Sequence, residues 1–114
     1  MTEREKRLAD EARSEETSPE RLAELAKDES WYIRYRVAEN PKTSSEVLLE
    51  LTDDKVQWVR ETIARNLNTP PEAFMKLIAT KDCYVISGVV NNPNVPEEVL
   101  RVLVDKPLFK PRSY

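Results

Sequence analysis

Residues 59–77 read VRETIARNLNTPPEAFMKL. A short helical stretch runs into an Asn-centred turn, then a helix start, then a second helical stretch. The same order returns upstream in residues 31–51, WYIRYRVAENPKTSSEVLLEL, and downstream in residues 84–103, YVISGVVNNPNVPEEVLRVL. The three copies hold one register. Asn40, Asn66 and Asn92 are each 26 residues apart. The same step links Thr17, Thr43, Thr69 and Val95, and links Glu20, Glu46, Glu72 and Glu98. Apolar columns follow it too: Leu22/Leu48/Phe74/Leu100, Leu25/Leu51/Leu77/Leu103, Ile33/Val59/Val85, Val37/Ile63/Val89 and Ala12/Ala38/Ala64/Val90. A period between 20 and 50 residues is the mark of a stacked array, because one unit cannot bury its apolar face alone.

The local chemistry predicts helices at each place in the period. Val56, Val59, Arg60, Ile63, Ala64 and Leu67 recur at helical spacing. Thr17-Ser-Pro-Glu20, Thr43-Ser-Ser-Glu46 and Thr69-Pro-Pro-Glu72 read as capping boxes, in which Thr and Glu each answer an orphan N–H of the first turn. Four helices are expected at about 19–27, 45–53, 71–79 and 97–105. Three more are expected at about 31–39, 57–65 and 83–91, closed by Asn40, Asn66 and Asn92. Asn tolerates the left-handed conformation that ends a helix, and Asn side chains at this step could also bond neighbouring turns. Gly88 costs about 1 kcal/mol relative to Ala inside a helix, which makes the third copy the loosest.

The expected domain layout is one helical-repeat unit over residues 1–105. It comprises a cap helix in 1–16, repeats 17–42, 43–68 and 69–94, and a last helix in 95–105. A tail follows in 106–114, where Leu108 and Phe109 are expected to fold back over the open end.

Composition narrows the function. The chain has 114 residues, of which 34% are charged and 39% hydrophobic, with a net charge of −3. A single Gly argues against tight-turn β folds and against a loop that cradles phosphate. Histidine is absent, removing the commonest general base and metal ligand. Cys83 is the sole cysteine; it excludes an internal disulfide, fits a reducing, cytoplasmic setting, and is expected to be a half-buried thiol without a catalytic partner. No apolar run reaches the ~18 residues of a membrane span. No cofactor or metal site is expected, since acidic pairs such as Asp53-Asp54 sit at helix ends where solvated charges lie.

The motif V-R-x-x-V-A-x-N-P-x-T-P-x-x-x-L-x-x-L-x-x-D, carried here by residues 31–54 and 58–77, resembles the leucine-rich repeat variant family. That family is related in style to HEAT and armadillo arrays. The resemblance covers about residues 17–105. It implies an all-α fold, a short right-handed α-solenoid of about 3.5 helix pairs, and a binding role. The family unit is nearer about 24 residues, so the extra residues here fall near 28–31, 54–57 and 80–83. Some members hold an iron–sulfur cluster on a cysteine-rich N-terminal segment, which a chain with Cys83 alone does not carry over.

Two columns are candidate binding surface. Tyr32, Trp58 and Tyr84 share one column, pointing away from the apolar stripe, and could form a ladder gripping an extended peptide or stacked bases. The alternative places them in turns, packed between repeats. Trp31 and Tyr35 are open to the same two readings. Arg34 and Arg60 each follow an acid by six residues, which suits an inter-repeat polar ladder. With Arg36 and Arg65 they could instead clamp phosphate or carboxylate. The third copy has Thr80 and Ile86 in place of that acid and Arg, so it is expected to pack or cap. The leading expectation is a non-enzymatic scaffold for a protein or peptide. The alternative is a nucleic-acid module using the Arg34/Arg36/Arg60/Arg65 side, opposed by nine bases against eleven acids in residues 31–105. A homodimer through the open end of the array is a further expectation.

Overall fold

Five apolar columns and one acidic column in helical phase give helices. The computed structural model, which describes residues 1–105, contains eight α-helices and no strand among those residues. They are α1 Glu3–Arg13, α2 Pro19–Leu25, α3 Trp31–Glu39, α4 Ser45–Leu51, α5 Gln57–Arg65, α6 Pro71–Ile78, α7 Cys83–Asn91 and α8 Glu97–Asp105. The expected tail at 106–114, with Leu108 and Phe109, lies outside the described residues.

The odd-numbered helices lie beside one another in chain order: α1 packs on α3, α3 on α5, and α5 on α7. The shorter even helices sit against them, α2 on α3, α4 on α5 and α6 on both α5 and α7. Helices of two to three turns are marginal alone, so tertiary burial must hold them. The seam that does so is apolar throughout. Leu22, Ile33, Val37, Leu48, Val59, Ile63, Phe74, Leu77, Val85 and Val89 are all fully buried. Each contributes about 1.5–3 kcal/mol on leaving water. Leu100 and Leu103 of α8 are half-buried, while Val99 beside them is buried. Val90 departs from its column: Ala12, Ala38 and Ala64 are fully buried, but Val90 is exposed. Those alanines belong to α1, α3 and α5, each overlaid by the next odd helix, and among the described residues no odd helix follows α7.

The threonines do not cap as the spacing suggests. The N-caps of α2 and α4 are Ser18 and Ser44, whose hydroxyls accept from the amides of Arg21 and Val47; the N-cap of α6 is Pro70, without a side-chain bond. Thr17, Thr43 and Thr69 stand one residue earlier. Their hydroxyls donate backwards to the carbonyls of Glu11, Val37 and Ile63, at 2.5, 2.6 and 2.6 Å. They close the preceding helix rather than open the next, adding a second hydrogen bond to a last-turn carbonyl that already accepts from the C-cap amide of Ser14, Asn40 or Asn66. Glu20, Glu46 and Glu72 remain in first turns, where negative charge complements the helix dipole. A true capping box occurs at Thr2 and Glu5, on α1.

The asparagines also differ from the left-handed closure expected of them. Asn40, Asn66 and Asn92 have φ of −70°, −73° and −77° with extended ψ. Their buried side chains do the closing. Each Oδ1 accepts from the amide two residues on, at Lys42, Asn68 and Asn94. Each Nδ2 donates to two upstream carbonyls: Asn40 to Ala12 and Ser14, Asn66 to Ala38 and Asn40, Asn92 to Ala64 and Asn66. Side-chain bonds thus replace the conformational device, and each asparagine ties its turn to the turn before.

Candidate functional site

The exposed face between α3 and α5 carries the aromatic residues. Trp31 begins α3 and Tyr35 lies one turn on, so both face the same way. Trp58 lies in the first turn of the neighbouring α5. The Trp31 and Trp58 ring centroids are 5.4 Å apart, and Trp31 meets Tyr35 at 6.2 Å and Tyr32 at 5.8 Å. Tyr32 and Tyr35 are themselves 6.0 Å apart. These distances and tilts are those of favourable aromatic pairs.

The Tyr32/Trp58/Tyr84 column is therefore not a continuous ladder. Same-column residues on adjacent helices are separated by roughly the interaxial distance of about 8–10 Å, too far for ring contact. Trp31 fills that gap between α3 and α5. Its counterpart in α5 is Gln57, so no ring fills the gap between α5 and α7. Trp58 and Tyr84 are 59% and 63% exposed, Tyr32 is half-buried, and Tyr84 stands apart from the other rings.

Below the rings opens a cavity of about 360 Å³ lined by Trp31, Tyr35, Trp58, Glu61, Thr62 and Arg65. It continues past Tyr35, Thr62 and Arg65 into a depression bounded by Ala38, Glu39 and Asn66. A third hollow, lined by Pro41, Leu67 and Asn68, shares Glu39, Arg65 and Asn66 with the second. Together they form one groove along the α3–α5 seam. Its charges are internally matched. Arg36 Nη1 bonds Glu39 at 2.7 Å, and its guanidinium carbon lies 5.0 Å from the Tyr32 ring centroid and 5.6 Å from that of Tyr35. Arg65 pairs with Glu61 at 3.2 Å. Burial, and after it Glu39, pushes the Tyr35 phenol above its ordinary pKa, so it stays neutral at physiological pH.

Arg34 and Arg60, on α3 and α5, send their side chains elsewhere, to the turns that precede those helices. Arg34 holds Asp54 through Nε at 2.6 Å and Nη2 at 3.3 Å, and its Nη1 donates to the carbonyls of Asp28 and Glu29. Asp28 is held in turn by Arg4 at 2.6 Å. Arg60 Nη1 donates to the Asp54 carbonyl at 2.6 Å. The four arginines thus part company: Arg65 lines the groove, Arg36 stands beside it on Glu39 and the Tyr32 and Tyr35 rings, and Arg34 and Arg60 reach to the turns. Ile86, the third-copy counterpart of those two, is fully buried. Glu61 and Thr62 line the groove but belong to no column that the sequence singles out. Their spacing from Trp58 and Arg65 on one helical face was the available signal.

Cys83 is exposed at the start of α7, not half-buried as its sequence context suggested. Among the described residues no three His, Cys, Asp or Glu side chains converge to hold a metal ion, and no helix is long and apolar enough to cross a membrane. No protein-family model, curated protein or solved structure matches the chain.

Proposed function

We propose that the chain is a non-enzymatic scaffold that binds a protein or peptide along the α3–α5 groove. In this reading the helix pairs form a short right-handed solenoid with a 26-residue unit, akin to the leucine-rich repeat variant arrays that its motif resembles. The successive packing of odd helices, the recurring asparagine bonds and principal extents of 50 × 25 × 18 Å support that arrangement. The observation that carries the binding role is Trp58. It is 59% exposed, yet one face is held by Trp31, so a large rigid ring is presented to solvent at the mouth of a groove. Such anchors dominate interface energetics. Pre-packing by Trp31 also lowers the ordering cost of binding.

The nucleic-acid alternative draws less support. Arg34, Arg36 and Arg65 are each matched by a carboxylate, which leaves little unbalanced positive charge to hold phosphates.

Selection of displayed random peptides on the wild-type protein, with Trp58→Ala as counter-target, tests the proposal. Wild type should enrich a consensus with an apolar or aromatic anchor. Synthetic consensus peptide should bind the variant roughly 30-fold more weakly or worse, as expected of a central aromatic anchor. Equal enrichment on both proteins would refute it.

A further inference from the structure

The α3–α5 groove has an apolar station at each end. Trp31, Tyr35 and Trp58 form one, and the exposed Pro41 and Leu67 form the other. Arg65 lines each of the three hollows that join them. Along α3 the groove runs from Trp31 to Glu39, roughly 12 Å at ~1.5 Å per helical residue.

The hydrogen-bonding capacity of this groove is one-sided. Its two carboxylates are already engaged, Glu39 by Arg36 at 2.7 Å and Glu61 by Arg65 at 3.2 Å. The Thr62 hydroxyl donates to the Trp58 carbonyl at 2.8 Å. Donors are left over. The indole N–H groups of Trp31 and Trp58 meet no acceptor among the described residues, and both rings reach solvent. Arg65 meets Glu61 through Nη2 alone and is 61% exposed, which leaves its other N–H groups to solvent. A bound chain that brought N–H groups would find the carboxylates taken, whereas a chain that brought carbonyls would be answered along the groove.

We infer that the occupant of the groove is a proline-rich segment in the polyproline II conformation. Proline has no N–H to leave unpaired. Polyproline II makes no internal hydrogen bonds, so its carbonyls are free to accept from the indoles and Arg65. Aromatic-lined grooves take such segments by packing the pyrrolidine rings on ring faces. At ~3.1 Å per residue about four residues span the groove, which sets prolines three or four apart on the two apolar stations. Charge agrees: the Arg36–Glu39 and Arg65–Glu61 pairs leave the groove close to neutral, as a proline-rich stretch is. The inference rests on the reading of this groove as a peptide site and narrows it to one class of peptide.

Trp31 and Trp58 are the two tryptophans of the chain, so two indole N–H signals report the site. The nitrogen-15-labelled 114-residue chain is titrated with decaproline, with its mirror image built from D-proline, and with tetramethylammonium chloride. Decaproline should move both signals saturably, the protons downfield as they donate to carbonyls, with a Kd of about 1 mM or tighter. Trp58→Ala should weaken binding roughly tenfold or more, read at Trp31. The mirror image has the same composition but the opposite helical hand, and should bind about tenfold more weakly at least. An equal response to the mirror image overturns the inference, and so does a shift with tetramethylammonium alone, which would mark the rings as a cation site. Decaproline that leaves both signals still, while a proline-free consensus from the displayed library moves them, overturns it and leaves the peptide-binding reading standing. Silence toward decaproline and toward every displayed consensus brings down both.

Discussion

Gly88 shows how one missing methyl sets the distance between two helices. A Cβ there would lie 2.9 Å from the Cβ of Ala64, with Arg65 Cγ next at 3.4 Å. α7 therefore sits on α5 at a separation only glycine permits, and the residue that looked like a weakness of the third copy is a packing requirement. Ala at an ordinary helix position gains about 1 kcal/mol over Gly. Overpacking a tight contact costs about 1–3 kcal/mol, and Ala64 has no rotamer through which to yield. Gly88→Ala should thus lower stability by about 1 kcal/mol, read from urea midpoints at constant m. Pairing it with Ala64→Gly should recover part of the loss by restoring the gap. A midpoint raised by Gly88→Ala alone would show that α7 is not seated there.

α1 is held differently from the other helices. It buries only Leu8, Ala9 and Ala12, and ion pairs supplement that small face. Arg4 reaches Asp28, Arg21 reaches Glu11 at 2.6 Å, and Glu5 accepts from the Ser30 hydroxyl. The hydrogen bond from Arg4 holds the Asp28 carboxyl below its ordinary pKa, and that from Arg21 does the same to Glu11. A carboxyl depressed in the folded state contributes stability above its unfolded value, about 4, and loses it as pH falls through the lower folded value. Stability should fall from about pH 4 downward, with α1 amides losing hydrogen-exchange protection before those of α5. Arg4→Gln should be less stable at neutral pH and show a shallower acid limb; an unchanged limb would remove Asp28 from the account. The existence and bounds of these helices were legible in the chain, because burial repeats at the helical period and Ser, Pro and Asn punctuate it. The role of Thr17, Thr43 and Thr69 was not. T-x-x-E fits two registers one residue apart, and only the folded turn shows which carbonyl the hydroxyl meets. The groove was half legible: Trp58 was visible as an outward ring, but its partner is Trp31, from another column, because neighbouring helices are too far apart for like to touch like.

Across the whole molecule, contacts run from each odd helix to the next, so protection should depend on position in the row. α3 and α5 are covered on both sides by odd neighbours, α1 on one. Amides of Val59 and Ile63 should exchange slowest and those of α1 fastest, a gradient expected where neighbours supply most of the stability. Uniform protection across the helices would argue for one indivisible cooperative unit instead. The asparagine amides add a sense of direction to this row. Asn40, Asn66 and Asn92 all donate backwards, to carbonyls earlier in the chain, and none of these three amides donates forwards. A nascent polypeptide leaving the ribosome N-terminus first would find every acceptor already in place when its donor emerges. A circular permutant opening at α3 would release Asn40 long before Ala12 and Ser14 were made, and synthesis would outrun the partners its buried amide requires.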